Sequence, residues 1–196
     1  MEANRTRIKF SKTGRIKFIG HLDLLMVFQQ AIKRAGLPVS YSKGFNPHQL
    51  LYFAQPLPLG MESQGEYVDV LWDVPLDMPL IIQKLNSEMP QGIKILNGLL
   101  LSAKDKKAAA VVQAASYRID MEEEQPKLSP PEEMREGVFA FEMESPTSIL
   151  ATLATGSTKN LNPKLLMSSL AEGVVCRYTR LDLFMKKDGL FVSLLG

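Results

Sequence analysis

The chain has 196 residues, 45% hydrophobic and 22% charged, with a formal net charge of +2, which suffices for a packed core in one larger domain or two small ones. A single cysteine, Cys176, excludes an internal disulfide and any cysteine-rich zinc or iron–sulfur site within this polypeptide, and fits a reducing compartment. No apolar run approaches the roughly 18–20 residues that span a bilayer, and the opening Met-Glu-Ala-Asn-Arg-Thr-Arg lacks the apolar core of a signal peptide, so a cytoplasmic protein without membrane contact is expected.

The first 48 residues hold nine Lys/Arg against Glu2 and Asp23, an excess of +7, while residues 49–146 carry −8 and residues 147–196 carry +3. A polyanion, if one is bound, belongs on that basic arm. Within it, residues 5–10 and 15–19 alternate charged and apolar side chains around Ser11-Lys12-Thr13-Gly14. The pattern predicts a hairpin with Arg7, Lys9, Arg15 and Lys17 on one face, Lys12 at its turn, and Ile8, Phe10, Ile16 and Phe18 packed beneath. From His21 the period becomes helical through Leu25, Phe28, Ile32 and Ala35, with Asp23 in the first turn and Lys33-Arg34 in the last, as the helix dipole favours. Gly36-Leu37-Pro38 ends it.

Residues 38–42 and 50–54 read as extended around a loop containing Gly44 and Asn46-Pro47. Residues 65–73 alternate as a strand, 77–89 carry a second helical stripe, and 92–101 form a further apolar strand. The order of strand, helix, two strands, helix, strand predicts an α+β, ferredoxin-like first half, βαββαβ with an N-terminal hairpin, over residues 1–103. Residues 104–115 change texture and read as a linker. Residues 116–196 form a smaller α+β half. Its strands lie at 116–121, 138–143 and 149–155, its helix opens at Asn162-Pro163, and Asp188-Gly189 turns a terminal hairpin. Between its first two strands lies an acidic, proline-bearing loop over 122–136. No sequence repeat is visible.

Two blocks, Arg7-Ile-Lys-Phe-Ser-Lys-Thr-Gly-Arg-Ile-Lys-Phe-Ile-Gly-His-Leu-Asp23 and Leu37-Pro-Val-Ser-Tyr-Ser-Lys-Gly-Phe-Asn-Pro-His48, followed by Pro56-Leu-Pro-Leu-Gly60 and Glu66-Tyr67, resemble the radical-SAM-linked protein family, a bacterial domain of unknown function found alone or joined to radical SAM proteins. The resemblance covers about residues 5–75, and the family pattern has Ser where this chain has Gly20. It implies a radical SAM protein as partner. With one cysteine the chain cannot itself hold that partner's cluster, so radical chemistry would occur in trans and no cofactor is expected here.

The loop Tyr41-Ser-Lys-Gly-Phe-Asn-Pro-His48 mixes aromatic faces for stacking (Tyr41, Phe45), Lys43 for phosphate, Gly44 for close approach, and Asn46 and His48 for polar contacts. The competing reading has Tyr41 and Phe45 covering the core. With the hairpin cations these residues suit nucleic acid; the resemblance, through its radical SAM context, implies RNA, transfer or ribosomal, and DNA is not expected. A second, weaker basic group comprises Lys159, Lys164, Arg177 and Arg180, with no Walker pattern. His21, Asp23 and His48 are the candidates for acid–base chemistry, and no metal is demanded by their spacing. Three functions follow: an RNA-binding accessory acting with a radical SAM partner, an RNA-modifying enzyme using Asp23 with His21 or His48, and a protein-interaction scaffold without nucleic acid.

Overall fold

The computed structural model describes residues 4–196, an α+β chain with few helices on a mostly antiparallel sheet. β1 (Arg5–Lys12) is a central strand, paired antiparallel with β3 (Glu62–Leu71) on one side and with β4 (Ile93–Leu101) on the other. The expected hairpin partner of β1 is not a strand: Gly14–Phe18 is a 3-10 helix. Ile16 and Ile19, three residues apart, pack against the core, while Phe18 points outward and is 64% exposed. With β3 and β4 taking both edges of β1, no ladder remains for a hairpin strand. The period of three therefore decides the local structure over the alternation.

α1 (His21–Arg34) buries Leu24, Phe28, Ala31 and Ile32, an apolar stripe at helical spacing. α2 (Met78–Glu88) buries Ile81 and Leu85. Both helices share one core with Ile8, Phe10, Val68, Val70 and Trp72. β2 (Leu51–Phe53) pairs antiparallel with β3, so the strands of this half lie in the order β4-β1-β3-β2.

Residues 104–115 hold a single turn, α3 (Ala108–Val111), and the first four residues of β5 (Val112–Met121), of which Ala114 and Ala115 are fully buried. β6 (Val138–Ser145), β7 (Ser148–Ala154), α4 (Pro163–Leu170), β8 (Cys176–Lys187) and β9 (Leu190–Ser193) complete the chain. Asn162 caps α4, its side chain accepting the Lys164 N–H. The terminal hairpin turns on Asp188 and Gly189, both at positive φ, as a two-residue connection between right-twisted strands requires.

These later strands lie in the order β8-β5-β7-β6. Numbered within each half, the order fourth, first, third, second occurs twice. Where the first half has α1, the second has the acidic segment 122–137 with only a short 3-10 helix, Glu132–Gly137. With no helix there, the second half lacks the apolar stripe by which a sequence repeat would be seen.

The halves join in one nine-stranded sheet through a short parallel pairing of β3 with β8, Glu62 opposite Thr179 and Ser63 opposite Arg180. Alternation along β3 sends Val68 and Val70 to the first core and Tyr67 to a second one, which it shares with Tyr117, Ile119, Leu166, Leu183 and Leu194. Gly65 makes the junction possible: a Cβ there would lie 2.5 Å from the Leu181 carbonyl oxygen. Among the described residues no helix is long and apolar enough to cross a membrane.

β4 forms one edge of the sheet, with Leu96 and Leu100 exposed. Asn86 of α2 guards that edge by accepting the Ile95 N–H at 2.8 Å and donating to the Ile95 carbonyl at 2.9 Å, the two bonds an added strand would make. Asn86→Ala is expected to cost about 1–3 kcal/mol in urea unfolding, and to raise the sedimentation coefficient with concentration as the opened edge pairs between molecules.

Candidate nucleic-acid interface

The sorted charge of the sequence does not survive folding, because acids from the middle and end of the chain come to meet the basic arm. Arg7 is buried and donates from Nε and Nη2 to the Asp69 carboxylate at 2.8 and 3.1 Å, and also to the Lys106 and Leu194 carbonyls. Asp69 in turn accepts the Ala108 N–H. Lys9 pairs with Asp182 at 2.7 Å, and that carboxylate also accepts the Tyr67 hydroxyl at 2.5 Å. Lys12 is buried and donates to the Ile19 carbonyl at 2.9 Å, with burial lowering its pKa. Lys17 makes a long pair of 3.4 Å with Glu62.

Arg7, Lys9 and Lys12 therefore stitch the fold together, and the expected basic face is corrected to the cations that remain outside. These are Arg15 on the 3-10 helix, Lys33 late in α1 and Lys43 in the loop, all exposed, with Lys17 half-buried beside them. Alternation placed Arg7 and Lys9 on one side of β1 rightly, but that side is the contact with the second half.

The loop 41–48 is a closed structure. Tyr41 and Gln49 form an antiparallel bridge, and the Ser42 N–H donates to the His48 carbonyl at 2.8 Å. Ser42 Oγ accepts the His48 N–H at 3.0 Å and lies 2.8 Å from His48 Nδ1. Gln49 Nε2 donates to the Gln29 carbonyl and to the Tyr41 hydroxyl, each at 3.3 Å, tying the loop to α1. Lys43, Gly44, Phe45, Asn46 and Pro47 are all exposed at the tip, and Phe45 is fully so. The core-covering alternative is thus excluded for Phe45, and Tyr41 is half exposed.

The three acid–base candidates each have their own local contact. Asp23 caps α1, its carboxylate accepting the Gly20 N–H at 3.2 Å. The His21 ring packs edge-on against Phe53 at 5.3 Å, at the end of an aromatic row with Phe28 and Phe10. His48 is engaged by Ser42. No hydrogen bond or ion pair links the three, and among the described residues no group of three His, Cys, Asp or Glu could hold a metal ion.

Sequence reasoning missed the apolar side of this surface. Phe18, Leu22 and Met26 are exposed, and Leu22 and Met26, four apart on α1, lie on the face opposite its core stripe. A helical wheel of 21–34 already separates them from Leu24, Phe28 and Ile32. The 3-10 helix, α1 and the loop therefore each expose apolar or aromatic side chains and a cation. No curated protein matches the chain. A model of the family described as "Uncharacterized protein conserved in bacteria (DUF2344)" matches residues 5–133, about two thirds of the length, and the chain belongs to that family.

Proposed function

We propose that this chain is a non-catalytic, cytoplasmic accessory protein that binds RNA, transfer or ribosomal, and works with a radical SAM partner that modifies it. The observation that carries the RNA reading is Phe45, held fully exposed at the tip of a closed loop beside Lys43 and Tyr41. An aromatic ring in water gains nothing for folding, whereas a base stacked on it is a sequence-tolerant contact. The radical SAM partner rests on the resemblance of residues 5–75, and the lone cysteine keeps cluster chemistry out of this chain. The first half reads as a ferredoxin-like unit, a reading supported by its β4-β1-β3-β2 order and its two helices on one core, and such folds serve too many roles to name an activity.

The test is ultraviolet crosslinking of the purified protein to total bacterial RNA at two salt concentrations, with Arg15→Gln/Lys43→Gln alongside. Enrichment of one RNA class, weakened in the variant at low salt, is the expected result. No enrichment, or a variant with the parent's yield and salt dependence, would overturn it. A protein scaffold is the second reading, favoured by the exposed Leu22 and Met26. Its signature is a partner protein retained by the parent, lost on Leu22→Ser/Met26→Ser, with no RNA enriched.

A further inference from the structure

We infer that the cleft between the two halves is a phosphate-binding subsite, which holds the backbone of the RNA strand whose bases lie along α1 and the loop; it rests on the RNA reading above. The cleft, of about 530 Å³, takes Lys17, Gly60 and Glu62 from the first half and Asp120, Lys164 and Arg177, among others, from the second. That volume lies within the roughly 300–1,000 Å³ of ligand sites. Its floor is the β3–β8 junction, where Glu62 stands opposite Thr179.

The cations of this cleft differ from those that build the protein. Arg7, Lys12 and Arg180 are buried, each with a hydrogen bond of 3.0 Å or less. In the cleft, Lys17 reaches Glu62 only at 3.4 Å, Lys164 reaches the Leu59 carbonyl only at 3.4 Å, and among the described residues Arg177 has no ion pair or side-chain hydrogen bond. Lys164 and Arg177 are exposed. Three cations from separate elements thus line one cavity with two acids, an excess of one positive charge.

The two acids are already engaged: Glu62 accepts the Gly14 N–H at 3.2 Å as well as Lys17, and Asp120 accepts the Ser148 hydroxyl at 3.2 Å. Cys176 also lines the cleft, and burial raises its thiol pKa, so it adds no negative charge. The cleft is continuous with the proposed interface. The Gly60 N–H donates to the Lys17 carbonyl at 3.0 Å, and Phe18, next in sequence and exposed, lies 3.9 Å from the Cβ position of Gly60. A strand leaving the α1 face over Phe18 therefore arrives at Lys17 and the cleft.

The experiment titrates a fluorescein-labelled, single-stranded RNA of mixed sequence against the full chain across a salt series. The variants are Lys164→Gln/Arg177→Gln, both exposed and outside the core, and Phe45→Ala. The double variant is expected to bind about tenfold more weakly at low salt, with a log–log salt slope shallower by roughly 1.4, or about 0.7 for each single-strand phosphate no longer neutralised. Phe45→Ala is expected to weaken binding with the slope unchanged. Inorganic pyrophosphate should compete with RNA on the parent and lose that effect on the double variant. If the double variant keeps the parent's affinity and slope while Phe45→Ala is weakened, the cleft is no subsite and the RNA reading stands. If the parent binds no RNA, both fall.

Discussion

Arg180→Ala is expected to lower the stability of the folded chain by about 3–5 kcal/mol. Arg180 is 2% exposed. Its Nη1 donates to both oxygens of Glu66 at 3.0 and 3.1 Å and reaches the Gln55 carbonyl, while Nε reaches the Tyr117 hydroxyl and Nη2 the Pro56 carbonyl. Truncation strands a buried carboxylate and several acceptors beside the two parallel residue pairs by which the strands of the halves join.

The variant should carry a pH signature. Burial raises the Glu66 carboxyl above its ordinary 4.5, and Arg180 is the main group pulling it down. Without Arg180 the folded-state pKa rises further above the unfolded value. The carboxyl then favours the fold only below about 4.5, and that contribution is lost as pH rises through the folded pKa. The deficit of Arg180→Ala should accordingly be larger at neutral pH than in mild acid, as read from urea midpoints across the range. The apolar pair Glu66→Leu/Arg180→Met should recover most of the loss, because well-packed side chains replace a buried ion pair at little cost. A deficit independent of pH, with no recovery in the pair, would assign the effect to lost packing around the Arg180 stem.

The same charges explain what could and could not be read from the sequence. α1 was legible because every signal for it is local: the core stripe, Asp23 at the third helical position and the basic last turn. Asn162-Pro163 and Asp188-Gly189 announced a helix start and a turn for the same reason. The fate of the basic arm was illegible, because Arg7–Asp69 and Lys9–Asp182 span 62 and 173 residues, and no period or spacing reports contacts of that range; Arg180–Glu66, spanning 114, was hidden for the same reason. Residues 15–18 alternate as a strand does, and only the pairing of both edges of β1 decides against one. The loop lay between these cases: glycine and Asn-Pro marked it as a loop, but the exposure of Phe45 depends on its closure by Ser42 and His48, which composition does not contain.

Phe45→Ala is expected to weaken RNA binding by roughly 5- to 150-fold, from about 1–3 kcal/mol of lost base stacking. Because the side chain is fully exposed, the folded chain loses nothing it was using, and the urea midpoint should stay within about 0.5 kcal/mol of the parent. That separation makes Phe45 a cleaner probe than Tyr41, whose hydroxyl accepts from Gln49 and helps bind the loop to α1. Phe45→Trp keeps a stacking face and should bind as well as the parent or better, while Phe45→Leu keeps apolar area without the ring and should resemble alanine. The ordering Trp, Phe, then Leu with Ala distinguishes base stacking from simple apolar contact. If leucine restores binding, the loop tip inserts into an apolar pocket of a protein partner, and the surface along Leu22 and Met26 becomes the rest of that interface.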